Sequence, residues 1–299
     1  MDQSSFEEAV DPDEAFAVLS DDNRIAILRA LWELDEYSAS FSDLHDSVDV
    51  ADSGQFNYHL GKLTDQFVRK TEDGYKLTAA GIRVVGAILG GAYTMAGSMD
   101  PVELDEPCPS CDGRWQFRYE DEFARMECES CSMAIQYPVP PGTFVGVAHA
   151  EMPARTERYL RTLLEQLRND VCPYCEGETE SRIVVVEEPS DGIEELQSIP
   201  LVRYDCTRCA GELTTDVGTP LLADPTIVSF FHDRGVDVRE RSLWQFAAFD
   251  DEDTSIEASD PYRVTVTFEA DGEELVVTVD ESMNVLDVEG PGRSTEGAE

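Results

Sequence analysis

Eight cysteines stand in four Cys-x-x-Cys pairs, Cys108/Cys111, Cys128/Cys131, Cys172/Cys175 and Cys206/Cys209, and none is left over. A pair at that spacing fits one tight turn that aims two thiolates at a metal about 2.3 Å away, and two turns complete a tetrahedron. Sixteen residues separate the first two pairs, within the spacing of a structural zinc site, and thirty separate the last two. Both halves open with Cys-Pro-x-Cys-x-Gly, so they read as two copies of one zinc-ribbon-like unit holding two structural zinc ions. Four thiolates close the shell, whereas a catalytic zinc keeps an open position. A thioredoxin-like pair would need a βαβ context. His149 and His232 lie outside any ligand spacing, and no nucleophile, phosphate loop or paired acid–base constellation appears, so no enzyme is expected.

The second chemical signal is charge. Acidic residues outnumber basic ones 63 to 22, for a formal net charge of −41, yet all three lysines, Lys62, Lys70 and Lys76, fall within residues 61–76. From Gly54 to Lys76 four basic residues face three acidic ones, a local sum of +1. Such acidity, spread along the chain, suits a surface hydrated in molar salt, as in a halophile. A hydrophobic content of 41% with 9% aromatics is that of a folded chain, not a disordered acidic one. No apolar stretch reaches the length of a membrane span, and the acidic N-terminus lacks a signal-peptide core, so a cytoplasmic protein is expected.

The elements that must position these groups are legible in part. PDEAFAVLS reads as a helix ended by Ser20-Asp21-Asp22, residues that can cap a second, NRIAILRALWEL, with Ile25, Leu28, Leu31 and Trp32 as its apolar face. Ser40 or Ser42 opens a third helix carrying Phe41, Leu44 and Val48. Asp52 opens a fourth, running to Gln66, with Gln55 as in a capping box and Phe56, Leu60, Leu63 and Phe67 inward. FVRKTEDGYKLT reads as two strands around Asp73-Gly74, and residues 80–96 as an apolar helix. That order is a winged helix-turn-helix, whose recognition helix enters the DNA major groove while its wing follows the backbone. Gln55, Asn57, Tyr58 and Lys62 point away from the apolar stripe, and Arg69, Lys70 and Lys76 belong to the wing. Gln and Asn suit adenine, and Lys and Tyr suit phosphate or guanine. His59 is read as a packing or phosphate contact, and His45 as a surface residue.

The stretch NYHLGKLTDQFVRKTEDGYKLTAAG, with His59, Leu60 and Leu63 before Gly74 and Tyr75 of the wing, resembles the ArsR-type winged-helix regulators. The resemblance covers about the first 95 residues and is closest to the haloarchaeal branch, where such domains precede cysteine-pair modules. It implies a repressor or activator that binds double-stranded DNA as a homodimer through its terminal helices. Two departures stand out: Gln66-Phe67-Val68 lacks the usual glycine before the wing, and FSDLHDSV lacks the sensor cysteine of metal-responsive members.

The expected fold class is multidomain α+β: a winged helix-turn-helix over 1–97, a zinc ribbon over 98–150, a helix plus second ribbon over 151–218, an α+β module over 219–290, and a disordered tail over 291–299. Between the ribbons PARTERYLRTLLEQL reads as an amphipathic spacer helix. RWQFRYE and ARMEC, then RIVVVEE and PLVRYDC, read as ribbon strands, with PSDGIEELQSI inserted between the latter two. DPTIVSFFHDRG is a helix stopped by Gly235, and Phe230, Phe231, Trp244, Phe246 and Phe249 are core. DDEDTSIEASD reads as an acidic linker before three strands with an Asp271-Gly272 turn. Two alternatives compete with a sequence-specific regulator. A winged helix plus ribbon also resembles the archaeal basal initiation factor related to the alpha subunit of eukaryotic TFIIE, which would bind RNA polymerase and the transcription machinery. A zinc-dependent thiol redox sensor would lose metal on oxidation.

Overall fold

A computed structural model describes residues 10–50, 52–91, 93–108, 110–185, 199–246 and 253–291. The segment PSDGIEELQSI except its last residue, Phe249, and the tail beyond residue 291 lie outside them. The chain is multidomain α+β and divides into two compact units, residues 1–95 with 140–142, and residues 96–139 with 143–299.

The first unit holds α1 (Pro12–Leu19), α2 (Asp22–Glu33), β1 (Ser38–Ala39), α3 (Phe41–Asp46), α4 (Ser53–Leu63), β2 (Val68–Lys70), β3 (Tyr75–Leu77) and α5 (Ala79–Gly90). Each main helix starts on a side-chain cap that satisfies otherwise unpaired backbone N–H groups. Asp21 accepts from the N–H groups of Asn23 and Arg24, Ser40 from Asp43, Asp52 from Gln55 at 2.7 Å, and Thr78 from Gly81. The buried face of α2 is Ile27, Leu28, Ala30 and Leu31; Ile25, expected inward, is only half-buried. These residues meet Leu44 of α3, Phe56, Leu60 and Leu63 of α4, Val68, Leu77, and Val85 of α5 in one core. The sheet order is β1-β3-β2. At Gly74, φ is +153° and a Cβ would run into the Ala39 carbonyl, so only glycine lets the hairpin close against β1. α4 is shorter than its apolar stripe suggested: the helix stops at Leu63 with Thr64 as C-cap, and Phe67 reaches the core from beyond it.

The second unit opens with a four-stranded antiparallel sheet of β4 (Met99–Pro107), β5 (Arg114–Glu120), β6 (Phe123–Cys128) and β7 (Ala134–Pro138), in that order. Alternation on β5 puts Trp115, Phe117 and Tyr119 inside, against Ala124 and Met126. Next come α6 (Met152–Arg168), a three-stranded sheet of β8 (Thr179–Val185), β9 (Pro200–Cys206) and β10 (Glu212–Asp216), and helices α7 (Gly218–Leu221) and α8 (Pro225–Asp233). A last antiparallel sheet contains β11 (Thr254–Ser259), β12 (Tyr262–Ala270), β13 (Glu273–Asp280) and β14 (Val285–Glu289).

Three expectations are corrected here. The helix between the cysteine halves is not a spacer: Leu160, Leu163 and Leu167 of α6 belong to one core with Ile183, Val202, Tyr204 and Leu213, with Ile227 and Phe231, and with Val264, Val266, Phe268 and Val277. Its Arg161 donates at 2.7 Å to Glu157 and also to the carbonyls of Val238 and Arg241, fixing the chain that follows α8. The sections that composition separates at 151–218 and 219–290 therefore share a hydrophobic core. The acidic linker is in part a strand: β11 pairs with β12 from Thr254↔Val266 to Ser259↔Tyr262. It is an edge strand held by backbone hydrogen bonds, with only Thr254 buried, so side-chain alternation could not reveal it. The Asp271-Gly272 turn is present as expected, with both residues at positive φ.

Candidate functional site

The cysteines gather at the ends of two hairpins. Cys108 and Cys111 end the turn leading into β5, while Cys128 closes β6 and Cys131 follows it; Cys172 and Cys175 precede β8, while Cys206 closes β9 and Cys209 follows it. Antiparallel pairing brings these turns together, since Trp115 lies opposite Cys128 and Thr179 opposite Cys206. Within each set all four Sγ atoms lie within 4.8 Å of one another. The closest approaches are Cys108–Cys131 at 3.8 Å and Cys111–Cys128 at 3.5 Å, then Cys172–Cys209 at 3.7 Å and Cys175–Cys206 at 3.5 Å. A tetrahedron of thiolates about 2.3 Å from a metal spaces its sulfurs about 3.8 Å apart. A disulfide would need about 2.05 Å. The cysteines are unpaired thiols in the geometry of two structural metal sites, and all eight residues read from sequence as ligands are in them.

The backbone completes each site. Ser130 N–H donates to Cys128 Sγ at 3.3 Å, Tyr174 N–H to Cys172 Sγ at 3.4 Å, and the N–H groups of Arg208 and Cys209 to Cys206 Sγ at 3.4 and 3.5 Å. These donors favour thiolate. Burial raises the Cys128 thiol, but the Ser130 and Cys131 N–H groups outweigh it and bring it down to about 7. The Cys209 and Arg208 N–H groups bring Cys206 down to about 6. Burial chiefly holds Cys108 up at about 12. Each set thus mixes a ready thiolate with thiols that give up their protons when a metal takes their place. Glycine lets the turns meet closely, because a Cβ at Gly113 would stand 2.6 Å from Ser130 Oγ and 3.1 Å from Cys111 Sγ, and one at Gly177 3.0 Å from Arg208 Cβ and 3.2 Å from Cys175 Sγ.

A match to the domain of unknown function (DUF7351) spans residues 105–285, from the first cysteine pair through the last sheet. The chain belongs to the DUF7351 family. Its DUF7351 segment contains both cysteine centres, the core around Trp115 behind the first, and the core that the second shares with α6 and α8. The domain of unknown function (DUF7347) matches residues 12–88, which run from α1 into α5 of the first unit. No curated protein and no solved structure matches the chain.

In the first unit the eight residues read as DNA contacts divide. Gln55, Asn57, Tyr58 and Lys62 are exposed on one side of α4, and Arg69 and Lys70 are exposed on β2. Lys62 Nζ sits 5.7 Å from the Tyr58 ring centroid, one helical turn away. Lys76 is half-buried, with Nζ 3.5 Å from the Glu36 carboxylate. His59 does not share that surface. It is 7% exposed, with Nδ1 3.3 Å from the carboxylate of Asp21 and Nε2 3.5 Å from the Asn23 amide, so it ties α4 to the capped start of α2. His45 is likewise not a plain surface residue: its ring lies 4.9 Å from that of Phe56. Helical spacing could have found His59, since it falls on the stripe of Phe56 and Leu63. No helix among the described residues is long and apolar enough to cross a membrane.

Proposed function

We propose that this chain is a sequence-specific, DNA-binding transcriptional regulator of the winged-helix class, similar to the ArsR-type regulators, with zinc in both cysteine centres. The observation that carries the reading is the exposed side of α4, where Gln55, Asn57, Tyr58 and Lys62 stand together opposite a fully buried face. A helix in that place, preceded by α2 and α3 and followed by the β2–β3 hairpin, is the element that enters a major groove. Gln55 and Asn57 then meet base edges, while Lys62, Arg69 and Lys70 meet phosphates. In molar salt the Debye length is about 3 Å, so these local cations act unhindered by the −41 of the whole, and groove contacts supply most of the affinity.

An all-sulfur tetrahedral set favours zinc over harder cations, and a closed shell supports a structural role without catalysis. The apolar α5, with Leu89 47% exposed, supports a homodimer in which a second copy covers it. The acidic composition supports a cytoplasmic home in a salt-loving cell.

The test is genome-wide crosslinking and sequencing of bound DNA in the native host, with Lys62→Glu and Lys70→Glu as controls. A few sharp sites, lost in the variants, are expected. Signal at most active promoters that ignores both substitutions would sink the reading in favour of a basal factor bound to RNA polymerase.

A further inference from the structure

The residues between the cysteines of the second centre do something that their counterparts in the first do not. Tyr174, in the first turn, lays its ring over Gly211 of the other turn, where an added Cβ would stand 2.9 Å from ring atom Cδ2. Arg208 crosses the opposite way. Its own Cβ lies 3.0 Å from where a Cβ on Gly177 would be, and Nη1 donates to the Cys175 carbonyl at 3.2 Å. The guanidinium is therefore held at the backbone of the residue that follows Tyr174. Neither group is spent on the core: Tyr174 is 57% exposed and Arg208 is exposed. Among the described residues no carboxylate forms an ion pair with Arg208, in a chain where acids outnumber bases 63 to 22. In the first centre the equivalent positions are Ser110 and Ser130, and Met133 occupies the place of Gly211.

We infer that the outer face of the second centre binds one nucleotide unit, its base stacked on Tyr174 and its phosphate held by Arg208. The unit could come from a free nucleotide or from an unpaired stretch of nucleic acid. A ring seated against one turn yet 57% exposed can serve as a stacking platform, and stacking tolerates any base because every base has a π-face. A guanidinium beside it offers forked donors that match phosphate. Metal-tied turns hold both groups in place before binding, so little freedom is lost on contact. The size of the patch argues against a protein partner. In the two turns of this centre Tyr174 is the one large apolar side chain that is exposed, whereas a stable protein interface takes about 800 Å² per partner. Glu176 and Glu178 are exposed nearby and weaken the phosphate contribution, so stacking dominates and binding falls little with added salt.

This site does not depend on the DNA reading of the first unit, and the experiment keeps the two apart. Fluorescein-labelled oligothymidylate and, separately, thymidine monophosphate are titrated with the metal-loaded full chain across a range of KCl. Wild type is expected to bind the oligonucleotide with a shallow salt dependence. Tyr174→Ala is expected to weaken it roughly tenfold, and Arg208→Gln to weaken it by a smaller factor. Tyr174→Phe keeps the affinity, and Lys62→Glu leaves it unchanged. Zinc content and the circular dichroism spectrum establish that each variant is folded, and Tyr174→Trp reports stacking directly by quenched emission. Thymidine monophosphate competing at equal phosphate concentration assigns the site to free nucleotides, and its failure to compete assigns it to strands; both support the site. Absence of binding by wild type to either probe overturns it, as does binding lost through Lys62→Glu but kept in Tyr174→Ala.

Discussion

The two cysteine centres share a frame and differ in what crosses it. Both join a Cys-Pro-x-Cys-x-Gly turn to a second pair at the end of a β-hairpin, and both carry backbone N–H donors on thiolate sulfur. In the first, Ser130 folds over Gly113 and Met133 is sunk 1% exposed into a core with Trp115, Phe117 and Met126. In the second, Tyr174 and Arg208 exchange places across Gly211 and Gly177, and the strands behind them lean on α6 and α8. A metal-closed turn fixes backbone geometry whatever stands between its cysteines, so those positions are left open to vary. One copy has used them for compact packing and the other for an outward face.

Four measurements would break or sharpen this contrast, beginning with the largest effect. Cys128→Ser should destabilise the second unit by roughly 5 kcal/mol or more, because the small core around Trp115 depends on the metal. Cys206→Ser should cost less, since Ile183, Val202 and Leu213 are also held by α6 and α8. Denaturant unfolding gives the difference, and a red shift of emission from Trp115 should accompany the first substitution only. Equal costs would show that the second centre gains nothing from its larger core.

Next in size are the glycines. Gly113→Ala places a Cβ 2.6 Å from Ser130 Oγ and 3.1 Å from Cys111 Sγ, and should cost about 1–3 kcal/mol with weakened metal binding. Gly211→Ala meets the Tyr174 ring at 2.9 Å and Cys209 Sγ at 3.2 Å, without the 2.6 Å clash of Gly113, so it should displace the ring with a smaller loss of metal affinity. Metal affinity measured with a competing chelator separates the two, and equal losses would contradict the contrast.

Acid should then strip both centres. Both Cys128 and Cys206 are lowered from 9.0 in the fold, to about 7 and about 6, so the stability they contribute is present above 9.0 and is lost as pH falls through the folded values. Protons compete with metal for these sulfurs, so a metallochromic dye should read release on acidification, and metal retained in strong acid would refute the assignment. The smallest effect is Glu129→Ala. Glu129 pairs with Arg114 across the first centre, but on an exposed surface such a bridge contributes under about 1 kcal/mol.

Much of the cysteine chemistry was legible because it is local. The pair spacing, the zinc-ribbon strands around Trp115 and Tyr204, and the caps at Asp21, Ser40 and Asp52 each depend on a few neighbouring residues. Edge strands were not legible. β4 carries two prolines and four acids, and β11 has a single buried side chain, so both exist through backbone pairing to the strand that follows, which leaves no clear side-chain alternation to read. Tyr174 and Arg208 were in plain view between cysteines, yet nothing nearby in the chain says that each reaches the opposite turn.

Sequence alone determined that eight thiolates would be presented in four pairs, that cations would be concentrated between residues 61 and 76, and that the first unit would be helical with a hairpin. These follow from turn geometry, side-chain charge and the 3.6-residue period, all short-range. Tertiary structure decided that α6 would be a core helix, that His59 would turn inward to Asp21 while Gln55, Asn57, Tyr58 and Lys62 stayed outside, and that the two ribbons would differ at their tips. Burial depends on which apolar surfaces meet across the fold, and that meeting is set by elements far apart in the chain.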